Sequence, residues 1–126
     1  MKNFVAYSGK NLTIEWFFDN NGKSLVAENF SKLSLPRKKK IFTLFRLLGD
    51  RGKIFNKEKF RNEGNKIYAI KAFQDRLLCF FFEGAKIIVT NAYEKKSSKM
   101  PAKEKDKALK FRESYIKRHK EGKYYE

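Results

Sequence analysis

Residues 67–93 do most to constrain the fold of this chain. Three short apolar-rich segments, residues 67–73, 76–82 and 86–93, are separated by Gln74-Asp75 and by Glu83-Gly84-Ala85. Both breaks are of hairpin length, so the stretch predicts an antiparallel meander. Upstream, Leu12, Ile14, Trp16 and Phe18 alternate with Thr13, Glu15 and Phe17 in the two-residue period of a half-buried strand, which Asp19, Asn20, Asn21 and Gly22 end. Ser24 is placed to cap a short helix with Val26, Phe30 and Leu33 on one side. Ser34 and Pro36 then open a second helix, whose stripe is Ile41, Leu44, Phe45 and Leu48, with Lys38, Lys39, Lys40 and Arg46 largely off it and Gly49 as the expected stop.

Residues 50–65 show no sustained period and carry Lys53, Lys57, Lys59 and Arg61 among glycines and asparagines, which reads as a basic loop. Pro101 suits the first turn of a closing helix with Ala108, Phe111, Tyr115 and Ile116 along one side. From about Lys117 the chain is polar and is expected to fray. A length of 126 residues fits one domain, residues 1–126, with one core. The expectation is an α+β domain: an antiparallel four-stranded sheet, an N-terminal helical hairpin on one face and a C-terminal helix. The second face of the sheet would then be open to a ligand.

Charge narrows the partner. Lysine and arginine total 30 against 14 acidic residues, a formal charge of +16, and a surface of that kind favours a polyanion, nucleic acid first. The apolar fraction of 41% and the 13 phenylalanines are too high for a disordered chain. No apolar run approaches the roughly 20 residues that span a membrane, and residues 1–10 lack a signal-peptide core, so a cytoplasmic protein without a membrane partner is expected. Cys79, the one cysteine, lies in an apolar run and reads as a buried thiol rather than a nucleophile. With a single His119 and no spaced carboxylates, neither a metal site nor any cofactor is expected. A nucleophilic triad and a glycine-rich phosphate loop are also missing from the sequence.

What remains is a concentration of cations on and beside the meander. With Gln74-Asp75 as a two-residue turn, Phe73 would pair with Arg76 and Lys71 with Leu78. Lys71 and Arg76 would then be diagonal neighbours on one face, about 7–8 Å apart at the backbone and within reach of one phosphate. A three-residue loop would place them on opposite faces. Tyr93 ends the last strand as packing or as a base-stacking platform. Composition alone equally accommodates Lys71, Arg76, Lys95, Lys96 and Lys99 as solvated residues.

Three motifs suggest a known family. Ile67-Tyr68-Ala69-Ile70-Lys71, then Asp75-Arg76-Leu77-Leu78, then Tyr93-Glu94-Lys95-Lys96-Ser97-Ser98-Lys99-Met100-Pro101 together resemble the HigB-like branch of the RelE/ParE toxin superfamily. In that branch one strand reads aromatic-Glu-Leu-Arg, the next carries Arg before aliphatic residues, and the third runs into Phe-x-Lys-Lys/Arg-Thr-x-Lys-Thr-Pro. The resemblance runs from about Leu12 to the closing helix. Here Ala69 stands in place of the glutamate, Lys71 in place of the arginine, and Ser97 and Met100 in place of the threonines.

The resemblance implies a microbial-RNase-like RelE fold. It further implies a toxin that cuts messenger RNA in the ribosomal decoding site, and an acidic antitoxin as its partner. It implies catalytic roles for Lys71, Arg76, Tyr93, Lys95 and Lys96 and an RNA-binding role for Lys99; Lys57, Lys59 and Arg61 of the basic loop are expected to bind RNA through their charge. Lys71 and Arg76 would cradle the scissile phosphate, Lys95 or Lys96 would be the base, and Tyr93 would stack or donate a proton. No metal is needed in this scheme, because RNA carries its own nucleophile in the 2′-hydroxyl. A ParE-like gyrase poison on the same scaffold and a non-catalytic RNA- or ribosome-binding protein are the alternatives.

Overall fold

The computed structural model of the chain describes residues 2–54 and 56–126. Among them the elements are β1 (Val5–Ser8), β2 (Thr13–Trp16), α1 (Leu25–Ser31), α2 (Leu35–Arg51), β3 (Phe60–Asn62), β4 (Tyr68–Ala72), β5 (Asp75–Phe82), β6 (Lys86–Glu94) and α3 (Ala102–Lys120). The strands form one six-stranded sheet in the order β1-β2-β6-β5-β4-β3. The meander β4-β5-β6 is antiparallel, but β2 runs parallel to β6, with Thr13 opposite Lys86 and Trp16 opposite Val89. The architecture is α+β with a mixed sheet, and the antiparallel four-stranded sheet expected from the sequence is wrong.

The physical reason lies in β2. Ile14 and Trp16 pack into the core beneath α1 and α2, while Phe17, just past the strand, joins a second core on the other side. A strand covered on both faces and paired along both edges is interior, as parallel strands usually are. Glu15, which the alternation would leave in water, is buried and is satisfied by the Tyr125 hydroxyl at 2.6 Å and the Lys86 ammonium at 3.3 Å. β1 then covers the outer edge of β2, and β3, a three-residue strand inside the expected basic loop, covers the edge of β4. The part of that loop at Phe55 lies outside the described residues.

The helices follow their sequence signals with one displaced boundary. Ser24 Oγ accepts the Ala27 N–H at 3.3 Å and caps α1. Ile41, Leu44, Phe45 and Leu48 of α2 are fully buried against the sheet. The helix passes Gly49 and stops at Gly52, which takes the left-handed conformation at φ 79° and donates its N–H to Leu48 O. Gly49 has a different task. Its carbonyl accepts the Asn11 and Leu12 N–H groups, each at 2.8 Å, and a Cβ on Gly9 would lie 2.2 Å from its carbonyl carbon. Two glycines thus let the β1–β2 turn seat directly on the backbone of α2.

The face expected to be open is mostly closed. Ala108 and Tyr115 of α3 pack on Ala69, Leu78, Phe80 and Ile88. Pro101 is the residue before α3 rather than inside its first turn, and Asn91 Nδ2 of β6 donates to Glu104 O (3.1 Å) and Oε1 (3.0 Å) at the start of the helix. Nor does the chain fray after Lys117: α3 continues to Lys120, and Tyr124 turns back into the second core with 1% exposure.

Candidate functional site

One row of side chains on the α3 face escapes cover. The meander turns through Phe73-Gln74, with Ala72 opposite Asp75, and Phe73 takes φ 57° to make the turn. The expected turn at Gln74-Asp75 was therefore one residue late. The shift places Lys71 directly opposite Arg76 rather than diagonal to it, and Arg76 is directly opposite Tyr93. Directly opposed residues share a face, with Cβ atoms about 4.5–5.5 Å apart. Lys71, Arg76 and Tyr93 therefore form a continuous line across three strands, just beyond the N-terminal end of α3.

Two flanking segments turn this line into a cleft of about 210 Å³. On one side stand Arg61 of β3 and Glu63 of the β3–β4 turn; on the other runs the loop after β6, with Lys95, Ser97, Ser98, Lys99 and Met100. The Lys95 N–H donates to Gln74 O at 2.7 Å, which fastens this loop to the β4–β5 turn. Five cations and, among the described residues, one carboxylate line the cleft. Arg61, Lys71, Arg76, Tyr93, Lys95 and Lys99 are thus brought together. Lys57, Lys59 and Lys96 are not. Lys57 lines a separate groove along the β3 edge with Phe60 and Tyr68, which Arg61 also borders. Lys59 contributes its carbonyl to the Lys71 N–H at 2.8 Å, and Lys96 is exposed outside the cleft.

Electrostatics give these groups distinct chemistry. Burial pushes the Lys71 ammonium below the ordinary lysine value; Arg61, Arg76 and Lys95 push the same way, and Glu63 opposes them. Burial raises the Tyr93 phenol, with Glu63 and Glu104 adding to the shift and Arg76 opposing it. A phenol above its usual value remains protonated near neutrality, so Tyr93 can donate a hydrogen bond or stack but is a poor base. The Arg76 guanidinium is pre-aimed: its Nη1 donates to Phe73 O at 2.8 Å and to Asp75 O at 3.0 Å, leaving Nη2 and Nε for a ligand.

Two acidic residues adjacent in sequence to the cleft are turned away from it. Asp75 and Glu94 face α2, where Arg37 donates from Nε to Asp75 Oδ2 at 2.9 Å and from Nη2 to Glu94 Oε1 at 2.8 Å. Hydrogen bonds to both carboxylates, Asp75 first, hold the Arg37 guanidinium above its already high ordinary value. This pairing removes two negative charges from the path of an anion. It also borders a second groove of about 280 Å³, walled by Val26, Phe30, Leu33 and Leu77. The charged groups of that groove are already paired with one another, so it offers little to a polyanion.

No three His, Cys, Asp or Glu side chains converge as a metal-binding group among the described residues. Cys79 is fully buried, and burial pushes its thiol well above the ordinary value, consistent with a packing role. No helix among the described residues is long and apolar enough to cross a membrane.

The model of a protein family described as phage-derived protein Gp49-like (DUF891) matches residues 28–113, more than half of the chain. The chain belongs to the Gp49-like family. That family falls within the RelE/HigB-like toxin superfamily in general, which agrees with the coarser level of the resemblance read from the motifs. The matched stretch begins in α1, ends in α3 and contains every residue lining the cationic cleft. Among curated proteins no match to the chain is found.

Glu63 is the cleft residue that sequence reasoning missed. It sits in a turn in which Gly64, Asn65 and Lys66 all have positive φ, closed by Glu63 N–H to Ile67 O at 2.8 Å and Gly64 N–H to Asn62 Oδ1 at 2.9 Å. The signal was present as Asn62-Glu63-Gly64-Asn65, a turn-forming run directly before a strand. Reading all of residues 50–65 as one loop concealed it.

Proposed function

We propose that this Gp49-like protein is the toxin of a toxin–antitoxin pair and acts as a metal-independent endoribonuclease on ribosome-bound messenger RNA, in the manner of the HigB-like branch. The observation that carries this reading is the convergence of Arg61, Lys71, Arg76, Lys95 and Lys99 around Tyr93 in one cleft. A cleft of that composition suits a phosphodiester whose neighbouring base stacks on the tyrosine. Cleavage requires the 2′-hydroxyl to attack its own phosphate, and the negative charge that grows on the phosphoryl oxygens is what fixed cations stabilise. Arg76 and Lys71 hold the scissile phosphate, Lys95 and Lys99 the adjoining one. Lys57, Lys59 and Lys96, outside the cleft, bind flanking RNA through charge alone. An acidic antitoxin covering the cleft would neutralise the same field.

Primer extension on cellular transcripts after brief expression tests this reading. The expected result is discrete new 5′ ends within coding regions, suppressed when the antitoxin is co-expressed. Blocked translation with intact transcripts would replace the nuclease by a non-catalytic ribosome binder. DNA breaks with intact transcripts would indicate a gyrase poison.

A further inference from the structure

We infer that Glu63 is the general base that takes the proton from the attacking 2′-hydroxyl. This rests on the nuclease reading above and adds to it the residue that starts the reaction. The sequence pointed to Lys95 or Lys96 for that task, but Lys96 lies outside the cleft. A lysine must first lose its proton before it can accept one, whereas an ionised carboxylate accepts at once.

Among the described residues Glu63 is the one carboxylate lining the cleft, and its side chain is only 17% exposed. Its ion-pair contact is Arg61 Nε at 3.8 Å, a pair in which the arginine is 59% exposed and which therefore does little for stability. For binding a polyanion, a negative charge in this position is a defect, since it repels the phosphates the cations attract. As a proton acceptor beside a phosphate-binding row it is what the cleft otherwise lacks. The turn that carries it is held from outside: Arg112 of α3 donates to Asn65 O at 2.6 Å, and a Cβ on Gly64 would lie 2.8 Å from Lys105 Nζ. Glu63 is also close enough to act on both Lys71 and Tyr93, because its charge raises the phenol and opposes the lowering of the ammonium.

The step balances within the cleft. Glu63 takes the 2′-hydroxyl proton as the 2′-oxygen bonds to phosphorus, and the bond from phosphorus to the 5′-oxygen breaks. Lys71 then supplies a proton to that departing oxygen. A lysine with a lowered pKa is a better donor than an ordinary one, because its proton is less tightly held. The products are a 2′,3′-cyclic phosphate and a 5′-hydroxyl, and exchange with water restores the charges of Glu63 and Lys71.

Glu63→Gln separates this role from a structural one. Single-turnover cleavage of ribosome-bound messenger RNA should fall roughly 10² to 10⁴ fold. Binding to an RNA oligonucleotide with 2′-deoxyribose at the cut position should be unchanged or tighter. The alkaline limb of the pH–rate profile, set by Lys71, should remain in the variant and lie below the ordinary lysine value of 10.5. Cleavage within a few fold of wild type would overturn the assignment while leaving the nuclease reading intact. Loss of binding in parallel with rate would make Glu63 a structural residue and also overturn it. No cleavage by the wild-type protein would overturn the nuclease reading, and this assignment with it.

Discussion

Arg76→Ala is expected to relieve growth arrest on expression and to lower RNA cleavage by roughly 10² to 10³ fold, the usual cost of removing a fixed donor from a developing negative charge. The guanidinium stands in the middle of the row, opposite Lys71 on one side and Tyr93 on the other. The fold should survive, because the two carbonyls Arg76 caps lie at a surface turn where water can replace it, and the loss should be about 1 kcal/mol or less. Arg76→Lys should recover only part of the activity, since an ammonium keeps the charge but not the paired donors that match a phosphate. Growth after induction, soluble yield and a thermal melt on the same variants provide the check. A toxic, soluble Arg76→Ala protein would remove Arg76 from the reaction.

The largest effect on stability is expected far from the cleft, at Tyr124→Ala. Its ring packs at 4.4 Å from Tyr115 and 5.5 Å from Phe4, with the Arg118 guanidinium 4.6 Å above it. Its hydroxyl accepts the Phe18 N–H at 2.9 Å. Truncation leaves a cavity and a buried unpaired donor together, a loss of about 3–5 kcal/mol. Against a total of about 5–15 kcal/mol for a small protein, that should shift a urea midpoint strongly. Tyr124→Phe keeps the ring and should cost about 1–3 kcal/mol, the unpaired N–H alone. Whatever protein remains folded should bind RNA normally, since Tyr124 is no part of the cleft. An unchanged midpoint in Tyr124→Ala would show that the chain end is not packed as described.

These two residues mark the boundary of what the sequence reveals. Arg76 was legible because period-two segments with hairpin-length breaks leave few ways to fold, and a one-residue error in the turn preserved the face it shares with Lys71. That error came from Phe73, a bulky residue in the left-handed region, where local preference points to Asn or Gly instead. Tyr124 was not legible: two tyrosines in a charged run carry no period, and only the gap beside Phe17 and Tyr115 gives Tyr124 a place. The parallel pairing of β2 with β6 was hidden for a related reason. It joins residues far apart in the chain, and an alternation pattern says which face is buried but not which strand lies alongside. β3 was too short to show a period among lysines. With β3 unrecognised, the turn that lifts Glu63 into the cleft went unnoticed, as did the separation of Lys57 and Lys59 from the cleft that Arg61 lines.

The central claim is that RNA is cut by its own 2′-hydroxyl, with protein side chains supplying the proton transfers and the positive charge. The most direct measurement is the chemistry of the new ends, determined by mass spectrometry on messenger RNA cleaved by the purified protein on ribosomes. Alongside it runs a transcript bearing 2′-deoxyribose at the cut position. The account predicts a 2′,3′-cyclic phosphate upstream, a 5′-hydroxyl downstream and no cleavage of the deoxy-substituted transcript. A 3′-hydroxyl with a 5′-phosphate, or normal cutting where the 2′-hydroxyl is absent, would contradict it.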